Sequence, residues 1–229
     1  MKPDLAVVCD FDGTATLLDL GDEISKRFGG QAHFDEAKAR FLRGDLTTRG
    51  IIEGIYTHVR ASEKEVCDFA VAAARLRPGF EALVRAARDR GAPFLLASGG
   101  LRQYIDAVLA AHLPADLAAH VQVRANEAVF TPEGLRVQFP GDEVSRLSGC
   151  AVCGSCKRIA VAEARGLGAG HVIGLGDGFA DRCLAQFADR TFARQDSYLQ
   201  KYCLEHGLPH TPFTELYEAA EEVRRHKPC

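Results

Sequence analysis

Leu5-Ala6-Val7-Val8-Cys9-Asp10-Phe11-Asp12-Gly13-Thr14 is the stretch that decides the fold of this chain. Five apolar residues make a run of strand length. The run is continuous rather than alternating, the pattern of a strand covered on both faces. It stops at Asp10, and an acidic, glycine-containing turn follows. Two later stretches repeat the design. Pro93–Ala97 enters Ser98-Gly99-Gly100 and then a helical pattern over Leu101–Ala111. His171–Leu175 enters Gly176-Asp177-Gly178 and then Phe179–Phe187. Strands that alternate with helices build right-handed βαβ units around a parallel sheet. The predicted fold class is therefore α/β, with a three-layer core built on that sheet.

Outward from these stretches, residues 16–77 read differently. Helical spacing dominates in Phe34, Ala37, Phe41 and again in Ile51, Ile52, Ile55, Val59, with Gly29-Gly30 and Gly44-Asp45 as punctuation. The expected organisation is a core made of residues 1–15 and 78–229, with a helical cap over 16–77 inserted after the first strand. Leu76-Arg77-Pro78-Gly79 marks the return, and Pro78 suits the first turn of a helix over Phe80–Arg90. Between Val121 and Phe139, β-like segments flank Thr131-Pro132-Glu133-Gly134 and predict a hairpin.

Composition narrows the function classes. The 229 residues carry a formal charge of -3, with acids and bases interspersed. No Lys/Arg tract offers a footprint for nucleic acid. No apolar run reaches the roughly 18 to 20 residues that span a bilayer. The N-terminal run is too short and too soon acidic for a signal peptide, so the expected location is cytoplasmic. Eight cysteines are present. Cys9, Cys67, Cys183, Cys203 and Cys229 are scattered and read as reduced thiols in a chain large enough to have a real core. Cys150, Cys153 and Cys156 stand at C-x-x-C-x-x-C spacing. They could give three ligands to a structural Zn²⁺, but no fourth is evident nearby, so thiols or a disulfide are favoured over zinc. The eight histidines show no ligand spacing.

The chemistry gathers at strand ends. Ligands bind outside the carboxyl ends of parallel strands, where Asp10 and Asp12 are expected to stand together. One carboxylate can attack phosphorus directly, and the other can protonate the leaving oxygen and then activate water. Gly13 lets the backbone turn close to a phosphate, and Thr14 adds a hydroxyl. The alternative reading of the same residues is an acidic turn or Asx-cap, which is the less favoured of the two. Asp177 and Asp181 bring two further carboxylates to the same edge. Four clustered acids repel unless a hard cation neutralises them, and an oxygen-only site handling phosphate favours Mg²⁺. Gly174-x-Gly176 begins like a dinucleotide fingerprint, but Phe179 holds the third glycine position. Ser98-Gly99-Gly100 reads as a hydroxyl and free N–H groups at a helix start, an anion site. Lys157, opening a helix over Lys157–Arg165, can hold a phosphoryl oxygen and offset the acids.

In that order, Asp-x-Asp-Gly-Thr, Ser, Lys and Gly-Asp-Gly-x-x-x-Asp resemble the haloacid dehalogenase superfamily, over a span from Asp10 to Asp181. The resemblance implies that Asp10 is the nucleophile and Asp12 the acid/base. It implies that Ser98 and Lys157 bind the phosphoryl group. Mg²⁺ would sit on Asp10, the Asp12 carbonyl and Asp177, with Asp181 in support. An aspartate at Asp12 points to phosphatase chemistry over dehalogenation. The helical insertion is similar to the cap of the phosphoserine-phosphatase-like branch, in which Asp19 stands where a carboxylate reaches the substrate. That branch usually carries a cap arginine for phosphoserine, and the corresponding region here reads Glu53-Gly54-Ile55. The run Cys150–Lys157, the Thr16 and Asp19 spacing and Ser98-Gly99-Gly100 are instead similar to the methionine-salvage phosphatases, which act on 2-hydroxy-3-keto-5-methylthiopentenyl-1-phosphate. The implied partner is a small phosphorylated metabolite. A phosphotransferase would share the same residues, since acceptor choice lies in cap shape. A non-catalytic phospho-ligand binder would lack Asp10 or Asp12, and both are present. Oligomeric state is not legible.

Overall fold

Residues 3–140 and 153–227 are described by the structure, a computed structural model. β1 (Leu5–Cys9) runs through the middle of a sheet with β2 (Phe94–Leu101), β3 (Val121–Thr131), β4 (Gly134–Gln138), β5 (His171–Gly176), β6 (Arg190–Arg194) and β7 (Thr211–Phe213). The order is β4-β3-β2-β1-β5-β6-β7. All neighbours are parallel except β4, which returns antiparallel to β3 through the expected hairpin. Val7 stands opposite Phe94 on one side of β1 and Ile173 on the other.

Why β1 is apolar throughout follows from where its side chains go. Leu5, Val7 and Cys9 join one apolar core, while Ala6 and Val8 join a second on the opposite face. The two-residue period of a strand divides one run between two helical layers. α5 (Phe80–Asp89), α6 (Arg102–His112) and α11 (Tyr217–Arg225) contribute to the first core, and α8 (Lys157–Gly166) and α9 (Arg182–Phe187) to the second. α7 (Ala115–Ala118) and α10 (Tyr198–Glu205) complete the described helices of this part.

Between β1 and α5 the chain forms α1 (Leu20–Gly29), α2 (Gln31–Leu42), α3 (Thr48–Tyr56) and α4 (Glu63–Ala73). Three of the four, α1, α3 and α4, start at a side-chain cap. The Asp19 carboxylate accepts the Asp22 N–H at 2.9 Å and caps α1, and Ser62 with Glu65 forms a capping box on α4. Phe34, Ala37, Ile52, Ile55 and Val59 are buried in the first core, as their helical spacing predicts. An antiparallel bridge from Thr16 to Leu76 ties the ends of the segment together.

Three local expectations change. Ser98-Gly99-Gly100 stays within β2, and the next helix begins only at Arg102. The Asn126 amide donates to the Gly99 carbonyl at 2.8 Å and holds the backbone extended beside β3. Pro78 lies outside α5, because Gly79 takes φ +89° against the backbone of Leu216 and Tyr217, where a Cβ would come within 2.5 Å of Tyr217 N. Phe179–Phe187 is not one helix: a tight turn over Phe179–Asp181 precedes α9. Asp181 draws that turn together by accepting the N–H groups of Asp177 and Gly178 at 2.9 and 2.8 Å.

Candidate active site

Asp10 is the first residue beyond β1, and its N–H still bonds to the Leu175 carbonyl at 2.9 Å. The sheet therefore sets its height against β5. Beyond it Phe11–Ala15 winds back on itself, closed by the Thr16 N–H on the Phe11 carbonyl at 3.0 Å. Gly13 sits at φ +78°, and a Cβ there would lie 2.7 Å from Asp177 Oδ2. Only glycine lets this loop pass so close to the second acidic turn.

Arg77 holds the loop from beneath. Buried, it donates to the carbonyls of Thr14 (2.7 Å), Gly13 (2.6 Å) and Thr214 (3.0 Å). With the Thr16 carbonyl at 3.3 Å, four backbone carbonyls find donors on one side chain, so Arg77→Met should destabilise the fold by about 3–5 kcal/mol by leaving them unpaired. Chemical denaturation checks this, and a stability within about 1 kcal/mol of the parent would show that water replaces the guanidinium without loss.

The acids converge above this support. Lys157, fully buried at the start of α8, donates to Asp10 Oδ1 and to the Ala97 carbonyl, and lies 3.3 Å from Asp181 Oδ1. Carboxylate oxygens of Asp10, Asp177 and Asp181 all lie within 4.8 Å of one another. Asp177 also accepts from the Thr14 hydroxyl at 2.7 Å and from Arg194 at 3.1 Å. Burial and the Asp181 charge push Asp10 and Asp177 above the usual carboxylate range, against the pull of Lys157 and Arg194 respectively. For Lys157 burial works downward, but Asp10 and Asp181 outweigh it and keep the ammonium charged. Lys157 and Arg194 together still leave one of the three acids unbalanced. The excess negative charge, with Asp181 Oδ1 left to share the Lys157 ammonium with Asp10, fits a hard divalent cation.

Asp12 stands apart from that cluster. Oδ1 accepts the Leu20 N–H at 2.9 Å, and Oδ2 accepts the Tyr104 hydroxyl at 2.7 Å and Ser98 Oγ at 3.3 Å. Burial pushes its carboxyl up to about 6, while those hydrogen bonds pull the other way. A carboxyl in this range can hold or release a proton near neutrality, as an acid/base requires.

One cleft, with a volume of about 240 Å³, is lined by Asp10, Asp12, Asp19, Ser98, Gly99, Lys157, Asp177 and Asp181. These are all but one of the residues the sequence singles out for the site. Thr14 is the exception: fully buried, it serves Asp177. Asp19 both lines the cleft and caps α1. Phe41, Ile51, Ile52, Ile55, Phe179 and Ala180 give the cleft an apolar part, and Phe41 meets Phe179 edge to face with ring centroids 5.6 Å apart. Sequence reading missed Arg77, Tyr104 and Arg194, whose partners lie far away along the chain. A zinc site at the cysteines gains no support. Cys150 lies outside the described residues, Cys153 and Cys156 are buried, and the three-ligand cluster among the described residues is the aspartate one. No helix among the described residues is long and apolar enough to cross a membrane.

Comparison with known proteins bears on the fold and the family. Among curated relatives, the chain is 29% identical over 227 residues to the 2-hydroxy-3-keto-5-methylthiopentenyl-1-phosphate phosphatase of Geobacillus thermodenitrificans, covering 98% of each chain. In fold it is similar to a phosphoserine phosphohydrolase-like protein from Francisella tularensis, with a TM-score of 0.66 at 19% identity over 94% of this chain and 98% of that one. It is also similar to a phospho-aspartyl intermediate analogue of phosphoserine phosphatase, with a TM-score of 0.69 at 15% identity over 96% and 99%. The haloacid dehalogenase-like hydrolase model matches residues 7–186, a stretch that takes in all four acids, Ser98 and Lys157. The chain belongs to the haloacid dehalogenase-like hydrolase family.

Proposed function

We propose that this hydrolase cleaves a small phosphomonoester through a phosphorylated Asp10, and that its substrate is 2-hydroxy-3-keto-5-methylthiopentenyl-1-phosphate. Phosphoric monoester hydrolysis is the activity on which the family, the curated relatives and the chemistry of the cleft agree. The observation that carries the mechanism is the division of labour among the acids. Asp10 lies against Lys157 within the charge cluster, and Asp12 is held outside it. An Asp10 oxygen attacks phosphorus as the bond to the leaving oxygen breaks, and Asp12 gives that oxygen its proton. Asp12, now anionic, takes a proton from water as the water attacks phosphorus. The bond to Asp10 then breaks, and inorganic phosphate and the free carboxylate result. Lys157 and Ser98 hold phosphoryl oxygens. Asp10, Asp177 and the Asp12 carbonyl would hold Mg²⁺, with Asp181 beside them; bound there, the ion neutralises charge on the transferring phosphoryl group.

The choice of substrate rests on the wall built by residues 16–77, read as a cap that closes over the site. Phe41, Ile51, Ile52 and Ile55 suit an apolar tail. Thr48 brings to the same wall a hydroxyl without a protein partner. Among the described residues no arginine lines the cleft, and Lys38 is engaged with Asp22 at 3.5 Å. The carboxylate of phosphoserine would lack the forked donor that suits it. In a screen of phosphorylated metabolites with Mg²⁺, kcat/KM for the methylthio enol phosphate should exceed that for phosphoserine by about 100-fold or more. A preference for phosphoserine would overturn the substrate assignment.

Asp19 offers a narrower test, because its cap role and its place in the cleft separate by substitution. Asp19→Asn keeps a capping acceptor, so stability should stay within about 0.5 kcal/mol, whereas Asp19→Ala should lose about 1 kcal/mol. If the carboxylate meets substrate, both variants should raise KM for the enol phosphate several-fold and change p-nitrophenyl phosphate hydrolysis much less. Equal losses on both esters, or none with Asp19→Asn, return Asp19 to capping alone.

A further inference from the structure

Tyr56 and Tyr104 are the largest fully buried side chains among the described residues, both line the cleft, and the mechanism above uses neither. A phenol hydroxyl sealed from water is costly unless it finds a partner. Tyr104, in the first turn of α6, donates to Asp12 Oδ2 at 2.7 Å. Tyr56, the last residue of α3, brings its hydroxyl close to that of Tyr104. Two glycines make room for the pair. A Cβ on Gly100 would stand 1.9 Å from the Tyr104 hydroxyl, and one on Gly21 would stand 2.6 Å from that of Tyr56 and 3.5 Å from that of Tyr104.

Packing alone does not ask for these hydroxyls, since phenylalanine would fill the same space. Their effect falls on Asp12. With the Leu20 N–H on Oδ1 and Tyr104 on Oδ2, both carboxylate oxygens are pinned by groups from different helices. A proton on Asp12 is then confined to the directions those donors leave open.

We infer that Tyr104 is a positioning residue that aims Asp12 at the leaving oxygen, and that Tyr56 braces Tyr104 from the inserted helices, so that the seating of α3 and the aim of Asp12 are coupled. The inference rests on the reading of Asp12 as acid/base.

Leaving-group dependence tests it. n-Butyl phosphate needs a proton on its departing oxygen, whereas p-nitrophenolate departs without one. First-turnover rates of Tyr104→Phe, Tyr56→Phe, the double variant and Asp12→Asn are to be measured on both esters. Tyr104→Phe should lose about tenfold more rate on n-butyl phosphate than on p-nitrophenyl phosphate, in the maximal rate rather than in KM. Tyr56→Phe should lose less, in the same sense. The double variant should match Tyr104→Phe within about twofold, since Tyr56 acts through Tyr104. Because each ratio comes from one preparation, a smaller folded fraction cancels. Equal losses on the two esters with Tyr104→Phe, or additive losses in the double variant, overturn the inference. If Asp12→Asn meanwhile loses the butyl ester selectively, the acid/base reading survives that failure; if Asp12→Asn shows no selective loss, the reading falls as well.

Discussion

Asp10→Asn should lower turnover by at least about 10⁴-fold and leave the protein folded, the largest effect expected of any single substitution here. The amide is nearly isosteric with the carboxylate but is no nucleophile toward phosphorus, so the covalent route closes. Stability should not fall in step. Asp10 sits in a group with more acids than bases, and removing one charge relieves repulsion even as Lys157 loses a partner. Circular dichroism and a melting curve verify the fold, and an acid-quenched reaction of the parent should yield a phosphorylated peptide containing Asp10. Substantial phosphatase activity in a folded Asp10→Asn protein would remove Asp10 from the role of nucleophile.

Chelation should have an effect nearly as large. With EDTA the rate should drop to background, and it should recover with Mg²⁺ but poorly with Ca²⁺, whose looser coordination misplaces the attacking carboxylate. Asp177→Asn should raise the Mg²⁺ concentration needed for half-maximal rate by about 100-fold, because one of the clustered carboxylates is lost. A second readout does not depend on turnover. Burial and the neighbouring Asp181 hold Asp10 and Asp177 above the usual carboxylate range, so an ion that binds only the folded cluster stabilises it by mass action. Mg²⁺ should therefore raise the melting temperature of the parent and do so much less for Asp177→Asn. Full activity in EDTA, or a melting temperature indifferent to Mg²⁺ in the parent, would argue against the metal.

Much of this protein is written locally. The apolar run at Leu5–Cys9 determines a central strand, because a residue buried on both sides has no use for polar side chains. The three strand-end motifs place Asp10, Ser98 and Asp177 at one edge, because parallel strands share a direction. The spacing of Phe34, Ala37, Ile52 and Ile55 announces helices. What the spacing does not tell is that one such face is shared between core and cleft, with Phe41 and Ile51 on the cleft side.

The finer assignments belonged to the tertiary structure. Thr14 reads as a phosphate contact, yet it turns inward to Asp177, 163 residues away. Ser98-Gly99-Gly100 has the composition of a helix start, but the strand beside it and the Asn126 amide keep it extended. Arg77 reads only as part of the return from the insertion, and Tyr104 falls within the helical pattern over Leu101–Ala111 without being singled out. By itself, then, the sequence determined the sheet, the helices inserted after its first strand and the acids gathered at its edge, since each depends on neighbours a few residues away. Only the tertiary structure decided which buried donors hold those acids. Arg77 meets Gly13 across 64 residues and Tyr104 meets Asp12 across 92, and such pairings follow from how strands and helices stack, for which no local periodicity codes.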